Sequence, residues 1–411
     1  MRNILSMYRH LPKNILILFF VKFINAFGDF VVPFMSLFLT AKFRYSAAYA
    51  ASIVTATVLI QIPGALFGGS LADRWNQKSA YILVQSASAF CLMLCAFISN
   101  HHAVVILLLI STFFSSAVRP ILNAFVYDLV DDINRKTAYS FLYLGINIGV
   151  AVGPLLSGFL YNNYLMLFFL GDALTSYIAV CLVAFFIHLP KTVAKIDTAH
   201  TTQTTFLDFL KFVLKTPALS LLLLLYIFLS FMYAQHSFSL PLLLKELYDN
   251  QSAILFGTLM SVNAITVVVA TPLITYYTRN KSLLFNISCA GICLGMGFGL
   301  LSFPISLGVF IPSTILWTFG EILMSTNIGI YVLQHVDISM RTRSSAFQTI
   351  VSAVGKSFGI FSMGIVITHL GIRFVWPIIL IMGICTFFAI RALDVRLSQK
   401  KNSCIQIVDA R

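Results

Sequence analysis

The chain has 411 residues, of which 59% are hydrophobic and only 10% charged. Soluble domains carry about 25% charged residues, so a water-soluble enzyme or binding module of this size is excluded. The formal charge of +13 would suit a nucleic-acid binder. Cytoplasmic loops of membrane proteins also gather Lys and Arg, however, and the placement of the charges decides between the two.

In chain order, the apolar blocks predict twelve transmembrane helices, near 15–40, 46–69, 79–99, 103–127, 137–161, 164–188, 217–240, 253–277, 283–303, 306–332, 346–369 and 373–393. Each is close to the ~20 residues that cross a hydrocarbon core of about 30 Å. Helices are the expected spanning element because each satisfies its own backbone, whereas barrel strands would show ~10-residue alternation. The first block follows Arg2, Arg9 and Lys13, which look like the head of a secretory signal. It is far longer than the roughly 7–15 apolar residues of such a signal, and no small-x-small cleavage site follows, so it reads as the first span.

Counted against this topology, Lys42, Arg44, Lys245 and Arg373 fall outside, and Lys22, Arg119 and Lys356 fall within spans. The other twenty of the 27 Lys and Arg fall in the termini and the inner loops. Both termini are therefore expected in the cytoplasm of a multi-pass cell-membrane protein, of bacterial inner-membrane type, with the lipid bilayer as its surroundings and no nucleic acid as partner. External links are short: 99–102, Asn162 with Asn163, and a turn near Pro304. The expected domains are an N-terminal six-helix bundle (1–188), a cytoplasmic inter-bundle loop (189–216), a C-terminal six-helix bundle (217–393) and a cytoplasmic tail (394–411).

The two halves resemble each other. Shifted by 206 positions, Val130, Asp131, Arg135 and Phe141 fall on Val336, Asp337, Arg341 and Phe347, and Gly149, Gly153 and Gly158 fall on Gly355, Gly359 and Gly364. A shift of 205 brings Arg74 onto Arg279. Parallel repeats with a midplane site between them are a transporter architecture. The i,i+4 pairs Cys91/Cys95 and Cys289/Cys293 have no His or acidic neighbours and read as small packing residues, not as a metal site or a disulfide framework.

Two stretches carry a family signature. After the second span, Gly69, Asp73, Arg74 and Lys78 stand at the spacing G-x-x-x-D-R-x-x-x-K, with Asn76 and Gln77 between. The fifth span holds Gly145, Gly149, Gly153, Pro154 and Gly158; glycines four apart share one helix face and Pro154 bends the helix. The first resembles the loop signature of the major facilitator superfamily, G-x-x-x-D-R-x-G-R-[KR], with Asn76 replacing the second Gly and Gln77 the Arg. The second resembles the helix-packing motif of its antiporters, and Trp317 with Gly320 and Glu321 resembles the drug-exporter branch. The resemblance covers essentially the whole chain. It implies an all-α membrane protein of twelve helices in two pseudo-symmetric bundles. It further implies a gating role for Gly69, Asp73, Arg74 and Lys78 with Asp128 and Arg135 as partners, and a glycine face that meets the eighth span.

Six ionisable side chains fall inside predicted spans: Lys22, Asp29, Arg119, Asp172, Glu321 and Lys356. Charges at membrane depth are unfavourable and mark function by default. A carboxyl that is alternately close to and far from a cation can bind and release a proton as a transporter rocks. Asp29 and Glu321, near mid-span, are the expected proton-coupling acids, with Arg119 as the cation that Glu321 would meet across the cavity. Asp172 reads first as a structural contact, and Lys22 lies close enough to the inner surface to snorkel. Substrate-cavity candidates are Phe34, Tyr143, Asn147, Tyr233, Gln235, Asn263, Trp317, Asn327 and Lys356.

No P-loop, catalytic triad or metal cluster is recognisable, so an enzyme is not expected and no cofactor beyond the proton is implied. The expected function is a monomeric, proton-coupled antiporter exporting small amphiphilic organic molecules. The alternatives are a proton symporter importing a sugar or organic acid, and a membrane receptor that does not transport.

Overall fold

A computed structural model describes residues 11–187, 206–303, 307–336 and 341–409. The helices are α1 (Lys13–Gly28), α2 (Val31–Leu37), α3 (Ala47–Arg74), α4 (Gln77–Cys95), α5 (His101–Leu129), α6 (Asp132–Asn163), α7 (Leu165–Phe186), α8 (Phe206–Lys215), α9 (Pro217–Tyr233), α10 (Ser239–Tyr248), α11 (Ser252–Thr278), α12 (Leu283–Gly299), α13 (Leu307–Gln334), α14 (Arg341–Leu370) and α15 (Val375–Asp409). The first ten residues, most of the expected inner loop, the turn near Pro304 and Asp337 lie outside the described residues.

Among the described residues, eleven segments are long and apolar enough to cross a membrane, and one of them, Pro217–Thr278, runs for 62 residues. At 1.5 Å per residue that stretch is far longer than one crossing. It divides into α9, a short turn, α10 and α11, which gives the twelve expected crossings. Polar side chains set several starts. Ser46, Asn76, Asn100 and Ser282 each accept a backbone N–H from the first turn of α3, α4, α5 and α12. Pro217 opens α9 at a position where its missing N–H is no loss.

Two sequence expectations are corrected. The first span, expected unbroken over 15–40, is interrupted at Asp29 and Phe30 and then passes through a π-helical turn at Phe38–Lys42. The seventh, expected to run to 240, ends as an α-helix at Tyr233 and continues through a 3-10 turn, Ala234–His236.

The chain forms two compact units. One comprises the described part of Met1–Ile196 with Leu240–Ile265; the other comprises the described part of Asp197–Ser239 with Thr266–Arg411. Within the first, α1 packs on α6 and α7, and α4 packs on α5 and α7. Within the second, α9 packs on α14 and α15, and α12 packs on α13 and α15. These are the same pairings under the sequence repeat, so the repeat extends to packing. The core of the first unit includes Leu18, Val21, Tyr81, Val84, Ile121, Phe125 and Val183, all fully or almost fully buried.

Candidate functional site

The break in the first span has a local cause. Pro33 has no N–H to give to the carbonyl of Asp29, and its ring would collide with that carbonyl in a continuous helix. The chain answers with a tight turn: Asp29 has φ −70° and ψ 76°, and the Phe30 N–H donates to the Gly28 carbonyl at 2.8 Å. This is an inverse γ-turn with Asp29 at its centre. The crossing as a whole is Lys13–Lys42, so the turn lies about halfway along it.

The second half-helix starts at the turn and needs acceptors for its free N–H groups. Asp172, on α7, supplies one carboxylate oxygen to both Phe30 N–H and Val31 N–H, each at 3.1 Å. Val32 N–H donates to Asp29 itself. Asp172 is buried, whereas Asp29 is exposed. Removing such a capping acceptor typically costs about 0.5–2 kcal/mol. The sequence reading of Asp172 as a structural contact therefore acquires a specific partner, and the signal for it was Pro33, four residues after Asp29.

In the second unit, Glu321 and Lys356 sit near the middle of α13 and α14. The Tyr233 hydroxyl donates to Glu321 Oε1 at 2.7 Å. Lys356 Nζ lies 5.6 Å from the centroid of the same tyrosine ring, within cation–π range. His236 stacks on Trp317 with centroids 5.5 Å apart, and its Nδ1 lies 2.6 Å from the Tyr233 carbonyl oxygen. The indole N–H of Trp317 is buried without a hydrogen-bond partner. Glu321, Lys356, Tyr233 and His236 are all only partly buried, so a small molecule or water can reach this cluster. Arg119, the cation expected opposite Glu321, is exposed on α5 and belongs to the first unit.

The loop between α3 and α4 is bonded in a way the sequence did not reveal. Gln77 Nε2 donates to Asp128 Oδ2 at 2.6 Å, so the residue standing where the family signature has Arg still supplies the donor. Lys78 Nζ donates to the Ile187 carbonyl at 2.9 Å, at the C-terminal end of α7 where a cation is favourable. Arg135 Nη2 lies 3.4 Å from the carbonyls of Tyr127 and Val130, and its guanidinium stacks over the Tyr127 ring at 4.0 Å. Asp73 and Arg74 are exposed. A Cβ on Gly69 would meet nothing within 4 Å, so no close helix approach depends on it. Gly64 and Gly68 fill that role: Cβ atoms on them would collide with Phe113 and Ala117 of α5.

The glycine face of α6 also has different partners from those expected. Cβ atoms on Gly145, Gly149 and Gly153 would press on Phe19, Phe23 and Phe27 of α1. Only Gly158 meets α11, against the Ala253 carbonyl, and Gly257 of α11 lies against the Pro154 carbonyl. In the second unit Gly355 and Gly359 press on Ile227 and Phe231 of α9 in the same way.

The cavity candidates divide sharply. Phe34 is fully buried among Tyr161, Phe168 and Phe256. Gln235 is fully buried, donating to the Phe231 carbonyl and accepting from Ser239. Asn327 accepts from Asn286 at 3.0 Å and ties α13 to α12. Asn147 donates to its own helix at Tyr143, and Trp317 is stacked between Phe298 and His236. Those five are enclosed by protein in this structure. Tyr143 is exposed, and Asn263, Tyr233 and Lys356 are partly so. Among the described residues no group of three His, Cys, Asp or Glu is placed to hold a metal ion.

A family model described as Major Facilitator Superfamily matches residues 18–360. The MFS-type transporter YttB of Bacillus subtilis (strain 168) is 23% identical over 401 residues, covering 96% of this chain and 98% of that one. YqjV of the same organism is 25% identical, covering 74% of each chain. A Na(+), Li(+), K(+)/H(+) antiporter of Planococcus maritimus is 23% identical over 169 residues, covering 40% of this chain and 39% of that one. Among solved structures, the nucleoside transporter NupG aligns with TM-score 0.75 at 17% identity, covering 93% of this chain and 99% of that one. The POT family transporter PepTSo aligns with TM-score 0.72 at 13% identity, covering 93% and 99%. At such identities the structural likeness speaks for the fold alone.

Proposed function

This chain belongs to the Major Facilitator Superfamily, and on that premise we propose that it is a proton-coupled antiporter that exports small amphiphilic organic molecules. A multi-pass transporter of this family moves solute by alternating between states, and its binding energy must differ between them. The observation that carries the proposal is the Tyr233 side chain, which gives its hydroxyl to the mid-span acid Glu321 and its ring face to Lys356. Protonating Glu321 cancels one charge of that arrangement and leaves the lysine, which changes what the cluster attracts. Asp29, exposed at the broken midpoint of the first span, gives the other unit a comparable acid. The bacterial relatives support an inner-membrane location, with both termini in the cytoplasm as the charge distribution implies.

The test is flux in vesicles carrying the purified protein and an imposed pH gradient, with ethidium as the probe. Proton-driven movement should be lost in Asp29→Asn and in Glu321→Gln. Unchanged flux in both variants would defeat the coupling.

A second reading is exchange of a monovalent cation for protons. It is favoured by the partial similarity to the Planococcus maritimus antiporter and by the two carboxyls at the break in the first span. Replacing ethidium with sodium or potassium in the same vesicles separates the two readings.

A further inference from the structure

The turn that presents Asp29 is held by a different helix. Three residues of α7, each one turn apart, face it. The Phe168 ring lies 6.4 Å from that of Phe30, Asp172 accepts from Phe30 and Val31, and Thr175 is where a Cβ on Gly28 would fall. On α6, Ser157 Oγ reaches the Phe30 carbonyl at 3.5 Å. The Phe30 N–H, the Val31 N–H and the Phe30 carbonyl are thus each met by a side chain of α6 or α7, while Asp29 itself is exposed.

We infer that Asp172 is a positioning residue: by accepting the N–H groups of Phe30 and Val31 it fixes the turn at Asp29 and so fixes where the exposed carboxyl stands. This rests on the reading of Asp29 as a coupling acid. The task requires an accepting oxygen, which a carboxylate and a carboxamide both have, and it does not require a charge. Asp172→Asn keeps the acceptor. Asp172→Leu keeps the size and loses it, leaving the Val31 N–H unmet and the Phe30 N–H with the Gly28 carbonyl alone, at membrane depth where no water replaces the bond.

The experiment uses the full chain in lipid nanodiscs. Hydrogen exchange is followed at the amides of residues 30 and 31, and labelling of Asp29 by dicyclohexylcarbodiimide is followed in parallel. The Leu variant should exchange about tenfold faster at these two amides and change its labelling rate several-fold. The Asn variant should match wild type within about twofold in both. An Asn variant as disturbed as the Leu variant would overturn the inference, because Asp172 would then act through its charge or proton. A Leu variant at wild-type rates would overturn it equally. Should the Leu variant not fold, the Asn variant decides alone, with wild-type rates supporting the role and raised rates ending it. If proton-driven ethidium flux survives Asp29→Asn, the coupling reading fails, while the amide exchange still reports on the cap.

Discussion

Tyr233 and Glu321 lie 88 positions apart in sequence, and the hydroxyl of the first donates to the carboxylate of the second across 2.7 Å. The bond joins α9 to the centre of α13, two helices that a hydropathy profile shows only as apolar runs. The tyrosine also lies under Lys356 and beside His236, so its loss disturbs three ionisable groups together.

Tyr233→Phe should therefore be a functional lesion with a modest structural one. The ring stays, and with it the contact to Lys356. A hydrogen bond to an ionised group contributes roughly 1.5–3 kcal/mol, less where water replaces the donor, and Glu321 is partly accessible. The expected outcome is a drop in melting temperature of a few degrees at most and a loss of proton-driven flux of about tenfold. Wild-type flux in Tyr233→Phe, measured in the vesicle assay, would remove the tyrosine from the coupling cluster.

The glycine faces predict a stability contrast. A Cβ on Gly149 would stand 2.6 Å from the Phe23 carbonyl oxygen, and one on Gly359 would stand 2.7 Å from that of Phe231. Both obstacles are backbone and cannot swing aside. Gly149→Ala and Gly359→Ala should each destabilise by about 1–3 kcal/mol through overpacking. Gly69→Ala, whose Cβ meets nothing, should leave the melting temperature unchanged. Thermal unfolding of the three purified variants in one detergent checks the order, and a Gly69 variant as damaged as the other two would contradict it.

Much of the architecture was legible because hydropathy and repeat period are properties of the chain alone. The match of Gly149 and Gly153 with Gly355 and Gly359 anticipated two equivalent helix contacts, and both exist. What they touch was not legible, because a row of glycines tells of close approach without naming the neighbour; the neighbour is chiefly α1, not α11. Five of the nine cavity candidates are enclosed by protein for a related reason. Gln235 and Asn327 look like ligand-binding polars in an apolar span, but each has found a buried protein partner, which is the commoner fate of a polar group at membrane depth. Asp29 was legible as a mid-span acid; its turn was not, because the cause lies four residues on, in Pro33.

The substituted loop signature gives a further prediction. Gln77 bonds Asp128 as a neutral donor, where an Arg would do so as a charged one. An Arg adds the opposite charge and can engage a carboxylate through two parallel N–H bonds. If this contact helps to hold the cytoplasmic side in one state, Gln77→Arg should slow turnover several-fold and raise the melting temperature. Gln77→Leu should do the reverse. Flux and unfolding measured on both variants must move in opposite directions; a shift of the same sign in each would separate the contact from gating.

Pro33 can be tested apart from the residues that line the turn it creates. Pro33→Ala restores an N–H four residues after Asp29 and removes the ring that bars a continuous helix. Two forces then compete. Healing the span would satisfy the backbone within one continuous helix, without help from side chains. Keeping the break retains the bonds of Phe30 and Val31 to Asp172 and the close fit of Gly28 against Thr175. Continuous winding rotates Asp29 by about 100° per residue relative to the second half-helix, so both cannot be kept. The expected result is healing: amide exchange over residues 29–34 slows by at least about tenfold, the melting temperature holds or rises, and proton-driven ethidium flux falls by about tenfold because the Asp29 carboxyl no longer stands where the turn held it. Unchanged exchange in Pro33→Ala would mean that α7 alone imposes the break, and the weight would then pass from the proline to Asp172.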